Sequence, residues 1–232
     1  MLTLRPGHER GHADHGWLES HHSFSFAGYV DPDHVHFGPL RVINEDRVAP
    51  GGGFSQHGHR DMEIFSWVLS GELAHRDTLG NSASIGPGRV QLMTTGTGVE
   101  HSEFNHSDHE PVHFLQTWLF PRETGLAPRY SEADFPAASR HNQLRLILSP
   151  DGRDGSLRIE QDAFIYATLL NGDTALTHPL APGRRGYLHL IRGQLEVNGQ
   201  PLEGGDALML EEETQITLAR GRDAEALVFD LP

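Results

Sequence analysis

Two short pairs of residues carry the side chains best suited to bind a metal ion. His57 and His59 flank a glycine, and His101 and Glu103 flank a serine. Because side chains i and i+2 of a strand point to the same face, two such pairs on neighbouring strands would converge from one wall of a barrel. Three neutral imidazoles and one carboxylate suit a divalent first-row metal and leave positions free on an octahedral ion. Free positions are typical of a catalytic or ligand-binding site.

The spacing of the first pair is weak evidence when taken alone. Of the 17 histidines, 14 lie between His8 and His113, so about one or two His-any-His pairs are expected there by chance. The first pair gains support from the glycine run before it, the strand and glycine turn after it, and the later pair with Glu103. We interpret the remaining paired histidines as surface or supporting groups: His34 and His36, His106 and His109, His21 and His22.

The segments that must position these residues read as short β-strands separated by glycine turns. Residues 64–69 form a strongly apolar strand, and residues 73–77 are expected to return beside it as a hairpin after the turn at Gly71. Residues 112–120 alternate apolar and polar side chains and stop at Pro121. Strands at intervals of about eight to twelve residues predict an all-β protein made of antiparallel barrels.

A change of character after residue 120 marks the predicted domain boundary. Residues 1–125 form the expected metal-binding domain, and residues 144–232 form a second β-rich domain. Between them, residues 126–143 lack periodicity and contain two prolines. This stretch is predicted to be a linker, with a short helix near residues 131–134.

The second half repeats the order of the first half. The strand, glycine turn and strand around Gly71 recur around Gly193, and residues 85–93 recur in residues 202–210. An internal duplication of one barrel explains this order. The position of the His57 pair then falls near His178, and the position of His101 falls in residues 215–219, which contain no histidine. The second copy is therefore expected to hold no metal of this type.

Composition excludes several kinds of function. The net charge is −14, with 32 acidic against 18 basic residues, which argues against direct nucleic-acid binding because that needs a basic surface. The absence of cysteine excludes disulfides, thiolate ligands and cysteine nucleophiles. No signal peptide or apolar run of membrane-spanning length is recognisable, so we expect a cytoplasmic protein with no membrane association.

Longer motifs resemble the cupin superfamily and, within it, the pirin family. The order Gly51, His57, His59, Glu63, Gly71 is similar to the first cupin motif, one residue longer at its end, and Gly98, His101, Asn105 is similar to the tail of the second. Three stretches resemble pirins more narrowly: residues 10–18, 57–63 and 95–103. The chain length and the metal-free second barrel resemble the bacterial quercetin 2,3-dioxygenase branch.

The resemblance implies a bicupin, that is, two antiparallel jelly-roll β-barrels, with a metal in the first barrel. It implies that the metal ligands are His57, His59, His101 and Glu103. Many other cupins take the carboxylate from the position of Glu63, which we instead expect to be a supporting or strand residue. The resemblance favours Fe(II), although Ni, Co, Mn, Cu or Zn would also suit imidazole and carboxylate ligands.

The resemblance also implies a reaction, in which dioxygen opens the flavonol ring of quercetin and carbon monoxide is released. Glu103 would act as the general base that takes the proton of the flavonol hydroxyl. Five phenylalanines are candidates to line a flat pocket or to be ordinary core: Phe24, Phe26, Phe37, Phe54 and Phe104. Two alternatives stay open: a pirin-like, metal-dependent regulatory protein that binds a protein partner without turnover, and a small-molecule cupin acting on another phenolic.

Overall fold

The computed structural model describes residues 1–232, and the chain is all-β. Its helical segments are three single turns of 3-10 helix, at Gly7–Glu9, Ala137–Ser139 and Arg153–Gly155. No helix is long and apolar enough to span a membrane.

Twenty strands make up the rest of the regular structure. The first twelve are β1 (Leu2–Arg5), β2 (Gly11–Asp14), β3 (Leu18–His22), β4 (Leu40–Val48), β5 (Gly53–His59), β6 (Glu63–Ser70), β7 (Leu73–Asp77), β8 (Ser82–Ile85), β9 (Arg89–Thr94), β10 (Val99–Asn105), β11 (Val112–Leu119) and β12 (Arg129–Asp134). The last eight are β13 (Arg145–Ser149), β14 (Leu157–Arg158), β15 (Phe164–Leu170), β16 (Leu176–Pro179), β17 (Arg185–Val197), β18 (Gln200–Glu203), β19 (Ala207–Leu210) and β20 (Gln215–Leu231).

The chain forms two compact units. We call residues 11–134 with 159–161 the first unit, and residues 1–10, 135–158 and 162–232 the second unit. Residues 129–134, placed in the predicted linker, form strand β12, which pairs along its whole length with β9 of the first unit. The short helix expected at residues 131–134 is therefore wrong, because backbone pairing with β9 outweighs the weak local preferences of this polar stretch.

The first unit contains two antiparallel sheets. One has seven strands in the order β12-β9-β6-β11-β4-β3-β2, and the other has four in the order β5-β10-β7-β8. The predicted hairpin of residues 64–69 with 73–77 does not form, because β6 and β7 belong to different sheets. Gly71 allows this change of sheet: its φ is +75°, and a Cβ there would lie 2.8 Å from the carbonyl oxygen of Pro111.

The position of β6 follows from its composition. Its residues from Glu63 to Val68 are all buried, and a strand that is apolar on both faces is stable only inside a sheet covered on both sides. It lies between β9 and β11. The core of the first unit includes two clusters of buried side chains, one containing Val68, Leu73, Ile85 and Phe114 and the other containing Ile64, Met93 and Val99.

The second unit contains one nine-stranded sheet. Its main path is β1-β19-β17-β20-β15-β13-β14, with β16 paired to β20 and β18 paired to β17. Residues 186–191 and 194–197, like residues 215–218 and 226–229, read as separate strands in the sequence but belong to the long strands β17 and β20. Gly193 lets β17 continue, because a Cβ there would lie 2.4 Å from the carbonyl oxygens of Arg222 and Asp223.

Candidate metal centre

Strands β5 and β10 bring three imidazoles together in the first unit. The two strands are hydrogen-bonded neighbours, and His101 lies directly opposite His57. Ring centroids are 4.5 Å apart for His57 and His101, 4.7 Å for His57 and His59, and 4.9 Å for His59 and His101. One nitrogen from each ring lies within 4.8 Å of the others. The expected convergence of pairs on neighbouring strands therefore occurs.

Strand β10 contains a β-bulge between His101 and Glu103. The register of β10 against β5 shifts between these two residues, so that Glu103 lies opposite Phe54 rather than Ser55. A bulge changes the direction of side chains locally and is common beside functional sites. Glu103 is almost fully buried, with 1% of its surface exposed, and one of its oxygens lies within 4.8 Å of a His101 nitrogen.

Hydrogen bonding fixes the tautomer of His57. Its Nδ1 lies 2.7 Å from the carbonyl oxygen of Ser55, and a carbonyl only accepts hydrogen bonds, so Nδ1 carries the proton. In a neutral ring the lone pair is then on Nε2. That Nε2 lies 3.1 Å from Nε2 of His101.

A buried chain of three residues fixes the tautomer of His101. His75 donates from Nε2 to the Asp77 carboxylate at 3.1 Å, which leaves its Nδ1 as an acceptor for the Nδ1 proton of His101 at 3.4 Å. Burial opposes ionisation of Asp77, but hydrogen bonds from Asn81 and His75 outweigh it and lower the pKa of its carboxyl. The lone pair of His101 Nε2 therefore faces that of His57 Nε2, an arrangement that a bound cation would stabilise.

The third ring adds a buried nitrogen that no protein group satisfies. Nε2 of His59 is buried and has no hydrogen-bond partner. Burial lowers the pKa of His59 to about 4, with the nearby rings of His101 and His57 adding to the shift and the charge of Glu103 opposing it. Burial, with His57 and His75, lowers the pKa of His101 to about 3 against the charge of Asp77. Both rings are neutral near pH 7, the form that binds a metal.

Two glutamines and a serine hold the carboxylate of Glu103. Gln91 donates to Oε1 at 2.6 Å, Gln116 donates to Oε2 at 2.5 Å, and the Ser66 hydroxyl lies 3.5 Å from Oε1. These residues come from β9, β11 and β6 of the seven-stranded sheet, whereas Glu103 is on β10 of the other sheet. The carboxylate thus crosses the interior of the first unit, with both oxygens fixed.

Three imidazoles and a fixed carboxylate fit one divalent metal ion. The fit rests on three observations: two Nε2 lone pairs that face each other, a third buried Nε2 without a partner, and a nearby carboxylate with both oxygens oriented. Nitrogen and oxygen donors of this kind bind first-row divalent ions.

The structure places Glu63 away from this cluster. Its Oε2 accepts hydrogen bonds from the Thr94 hydroxyl at 3.0 Å and from the Glu160 N–H at 3.1 Å. Burial raises the pKa of Glu63 to about 7, although these hydrogen bonds and Arg129 oppose the shift. Glu63 thus packs as a buried group at the start of β6.

Asp46 is a second buried carboxyl near the centre. Burial raises its pKa to about 7, and the charges of Glu103 and Glu45 add to the shift while a hydrogen bond from Ser20 opposes it. Near neutral pH, Asp46 is therefore partly protonated, which limits the negative charge that accumulates beside Glu103.

An aromatic pair contacts the centre beside His59. The indole of Trp118 meets the His59 ring edge to face at 4.7 Å, and Phe26 meets Trp118 at 5.5 Å. Trp118 also donates from its indole N–H to Gln116 at 3.2 Å. The aromatic pair is thus hydrogen-bonded to one of the two glutamines that hold Glu103.

A second aromatic pair lies beside His57. The Phe54 ring is 6.5 Å from the His57 ring, and Trp17 meets Phe54 edge to face at 5.3 Å. The other three phenylalanine candidates have different surroundings: Phe24 and Phe37 are buried core residues, and Phe104 is 40% exposed. Side chains alternate along β10, so Phe104 points away from the face that carries His101 and Glu103.

The other paired histidines lie outside this cluster. His34 bonds to Asp31 at 2.9 Å and His36 to the Gly38 carbonyl at 3.1 Å, while His22 bonds to Asn44 at 2.9 Å. The sequence reasoning missed the residues that orient the ligands: His75, Asp77, Gln91 and Gln116. Only His75 and Asp77 carried a local signal, since they repeat the i, i+2 spacing of the ligand pairs.

Known families match both parts of the chain. Residues 4–119 match the family described as Pirin, and residues 146–231 match the family described as the quercetinase C-terminal cupin domain. The chain belongs to the pirin family. Its two halves are therefore cupin domains, and the family predicted from the motifs is confirmed.

Two relatives align with this pirin-family chain over nearly its whole length. A protein of Escherichia coli (strain K12) named quercetin 2,3-dioxygenase is 43% identical over 232 residues, which are 100% of this chain and 99% of the relative. A pirin-like protein of Caulobacter vibrioides is 37% identical over 231 residues, 99% of each chain.

Solved structures agree with the fold and with metal binding in a relative. The bacterial pirin YhhW of Escherichia coli, crystallised in complex with nickel(II), has a TM-score of 0.95 and 43% identity, covering 100% of this chain and 99% of its own. YhaK of Escherichia coli has a TM-score of 0.77 and 30% identity, covering 96% and 98%.

Proposed function

We propose that this protein is a metal-dependent dioxygenase resembling quercetin 2,3-dioxygenase, which opens a flavonol ring with dioxygen and releases carbon monoxide. The observation that carries the proposal is the donor set: three imidazoles beside one carboxylate that two glutamine amides hold in place. The name and full-length alignment of the Escherichia coli relative support the reaction class.

His57, His59, His101 and Glu103 would hold one divalent ion. Fe(II) is our first candidate, and Ni, Co, Mn, Cu or Zn suit the same donors; nickel supports this range because a relative was crystallised with it. When bound, the ion supplies Lewis-acid stabilisation of a substrate oxyanion and, if redox-active, the one-electron chemistry that dioxygen requires.

Glu103 is the proposed general base. In this role a carboxylate oxygen takes the proton of the flavonol hydroxyl, and the substrate continues as its anion. Gln91 and Gln116 each donate to a different oxygen of Glu103, so they orient the carboxylate before substrate arrives. His75 and Asp77 keep the Nε2 lone pair of His101 directed into the centre.

The aromatic pairs are the proposed walls for a flat substrate. Trp118 lies against His59 and Phe54 lies beside His57, so aromatic rings neighbour two of the three imidazoles. Stacking and edge contacts with an aromatic ring favour a planar phenolic over an aliphatic substrate.

The test is anaerobic reconstitution with Fe, Ni, Mn, Co or Cu in turn, followed by addition of quercetin and dioxygen. We expect loss of flavonol absorbance with one carbon monoxide released per quercetin. Glu103→Gln should lower kcat by about 10²–10⁴, the usual contribution of general-base catalysis. Glu100→Gln is the matched control, because Glu100 lies on the same strand and is exposed.

Unchanged quercetin absorbance with all five metals would overturn the enzyme proposal. The metal-dependent regulatory protein would then be preferred, and partners captured only by metal-loaded protein would support it. If another phenolic is turned over while quercetin is not, the enzyme proposal stands but its substrate is that phenolic and not quercetin.

We further propose that each cupin domain is a jelly-roll barrel, that the two domains arose by duplication, and that the protein acts in the cytoplasm. The duplication is supported by equivalent strand pairs, because β5 pairs with β10 in the first unit as β16 pairs with β20 in the second. The cytoplasmic location rests on the cysteine-free composition.

A further inference from the structure

The outer face of strands β2 and β3 carries a second group of metal-ligand side chains. His12 lies directly opposite His21 in the antiparallel pair, and the ring centroids are 4.7 Å apart. Glu19 is two residues before His21 and shares its face, with its Oε1 3.5 Å from Nε2 of His12. One donor atom from each of the three residues lies within 4.8 Å of the others.

This cluster is separate from the centre proposed above. Along β3, Glu19 and His21 point outward, whereas Ser20 and His22 point inward and bond to Asp46 and Asn44. Asp46 is the buried carboxyl whose charge interacts with that of Glu103. The His12 cluster and the His57 centre therefore lie on opposite faces of the seven-stranded sheet.

The charges around the cluster favour a cation. The register places Asp14 opposite Glu19, and Glu45 opposite His21 on the next strand. Arg47 is the guanidinium on this face; it lies opposite Glu19 in the register and 3.5 Å from Glu45, which also bonds to His113 at 2.8 Å. The carboxylates here outnumber the guanidinium, so a divalent ion would reduce their mutual repulsion.

We propose that His12, His21 and Glu19 form a second divalent-metal site, of the zinc class. Two imidazoles and one carboxylate are a common three-ligand set for zinc, with the fourth position left to water. The chain contains no cysteine, so no thiolate competes for a borderline ion, and imidazole is its best donor.

A metal bound here would stabilise the edge of the seven-stranded sheet. Strand β2 is the last strand of the seven-stranded sheet and pairs only with β3. An ion held by His12 on β2 and by His21 and Glu19 on β3 would join the two strands. Because it binds the folded state, it would raise the apparent stability of the first unit with its concentration.

The test uses zinc alone and full-length protein in which the other centre is removed by His57→Ala and His59→Ala. In this background, after chelator treatment, titration calorimetry should show one remaining equivalent of zinc. Adding His12→Ala or His21→Ala should weaken this binding by about tenfold or more, since even changes in groups that only orient ligands cost that much. The matched control is His8→Ala, an exposed histidine outside the cluster.

Copper(II) in the same background gives a second readout, since its electron paramagnetic resonance spectrum should show two coupled nitrogens that fall to one in His12→Ala. The proposal is overturned if the background protein binds no zinc, or if binding persists unchanged in both His12→Ala and His21→Ala. Equal weakening by His8→Ala would also overturn it, because binding would then be adventitious. Wild-type dioxygenase activity does not enter this test, so the two proposals fail independently.

Discussion

Two strand pairs that we propose to be equivalent, β5 with β10 and β16 with β20, carry different residues in the two units. In the first unit, His57 on β5 lies opposite His101 on β10. In the second unit, His178 on β16 lies opposite Ile216 on β20, and Ile216 is fully buried. One imidazole facing an aliphatic side chain cannot assemble a ligand set, so the architecture alone does not make a metal centre. Whether a strand pair of this kind can bind a metal depends on the residue that the partner strand places opposite the histidine.

His178 belongs to a network of charged groups instead. His178 bonds through Nε2 to Asp230 at 2.8 Å, and the guanidinium of Arg184 also contacts Asp230. Arg184 reaches Asp162 at 3.1 Å and lies 5.2 Å from the ring of Phe164. These groups are buried or half-buried, and each has a hydrogen-bond or ion-pair partner within the network. We therefore expect the network to stabilise the second unit.

The largest expected difference between the units concerns metal affinity. His101→Ala removes a buried ligand and should lower metal affinity by more than about 100-fold, since changes in groups that only orient ligands already cost 10–100-fold. His178→Ala should leave it unchanged. Equilibrium dialysis with elemental analysis measures both, and equal losses in the two variants would contradict the assignment of the centre to the first unit.

The opposite pattern is expected for stability. Asp230→Ala leaves the half-buried Arg184 without its main partner, and breaking such a pair typically costs about 3 kcal/mol of unfolding free energy. Denaturant unfolding should show this loss, while metal affinity stays at the wild-type value. A variant that unfolds normally but loses metal would show that the second unit contributes to binding.

A smaller effect is expected from the residues that orient His101. His75→Phe keeps a ring stacked on Tyr130, 4.8 Å away in the wild type, but removes the acceptor for His101 and the contact with Asp77. We expect metal affinity to fall by about 10–100-fold. Tyr130→Phe, which keeps the stacking and the acceptor, should change it little. Similar losses in both variants would point to packing rather than tautomer control.

A further expected effect is a pH dependence at Glu63, which concerns stability and not metal affinity. Its folded pKa is raised to about 7, so the folded state holds a proton that the unfolded state loses near its ordinary value of 4.5. The stability from this group is therefore complete below pH 4.5 and is lost as pH rises through about 7. Between pH 5 and pH 8, the free energy of unfolding of Glu63→Gln should therefore rise relative to that of wild type by about 2 kcal/mol.

Glu63→Gln also distinguishes the two cupin ligand patterns. If Glu63 were the carboxylate ligand, the substitution would abolish metal binding, whereas the hydrogen bonds to Thr94 and Glu160 predict that binding persists. Glu100→Gln is the control for surface charge. A stability difference between Glu63→Gln and wild type that does not change with pH would show that Glu63 titrates normally.

The sequence predicted three imidazoles that the structure brings together, His57, His59 and His101, because the signal is local. Strand period and short spacings place His57 with His59 and His101 with Glu103, and the absence of a histidine in residues 215–219 predicted the contrast with the second unit. Gln91 and Gln116 could not be found this way. They reach Glu103 from β9 and β11 of the opposite sheet, and no spacing along the chain encodes a contact between sheets.

Local sequence patterns also could not predict which strands pair. Residues 64–69 and 73–77 have the length and turn of a hairpin, but burial on both faces places β6 between β9 and β11. Strand β12 has no alternation because it is a polar edge strand, and its pairing with β9 alone defines it. In both cases a distant partner, rather than the local sequence, selects the structure.

Anomalous diffraction from crystals of protein purified from unsupplemented cells tests the central claim most directly. At the absorption edge of the metal found by elemental analysis, we expect the strongest peak among Nε2 of His57, His59 and His101, with a Glu103 oxygen beside it, and no peak at His178. A strongest peak in the second unit, or metal-containing protein with no peak among the three imidazoles, would contradict the account.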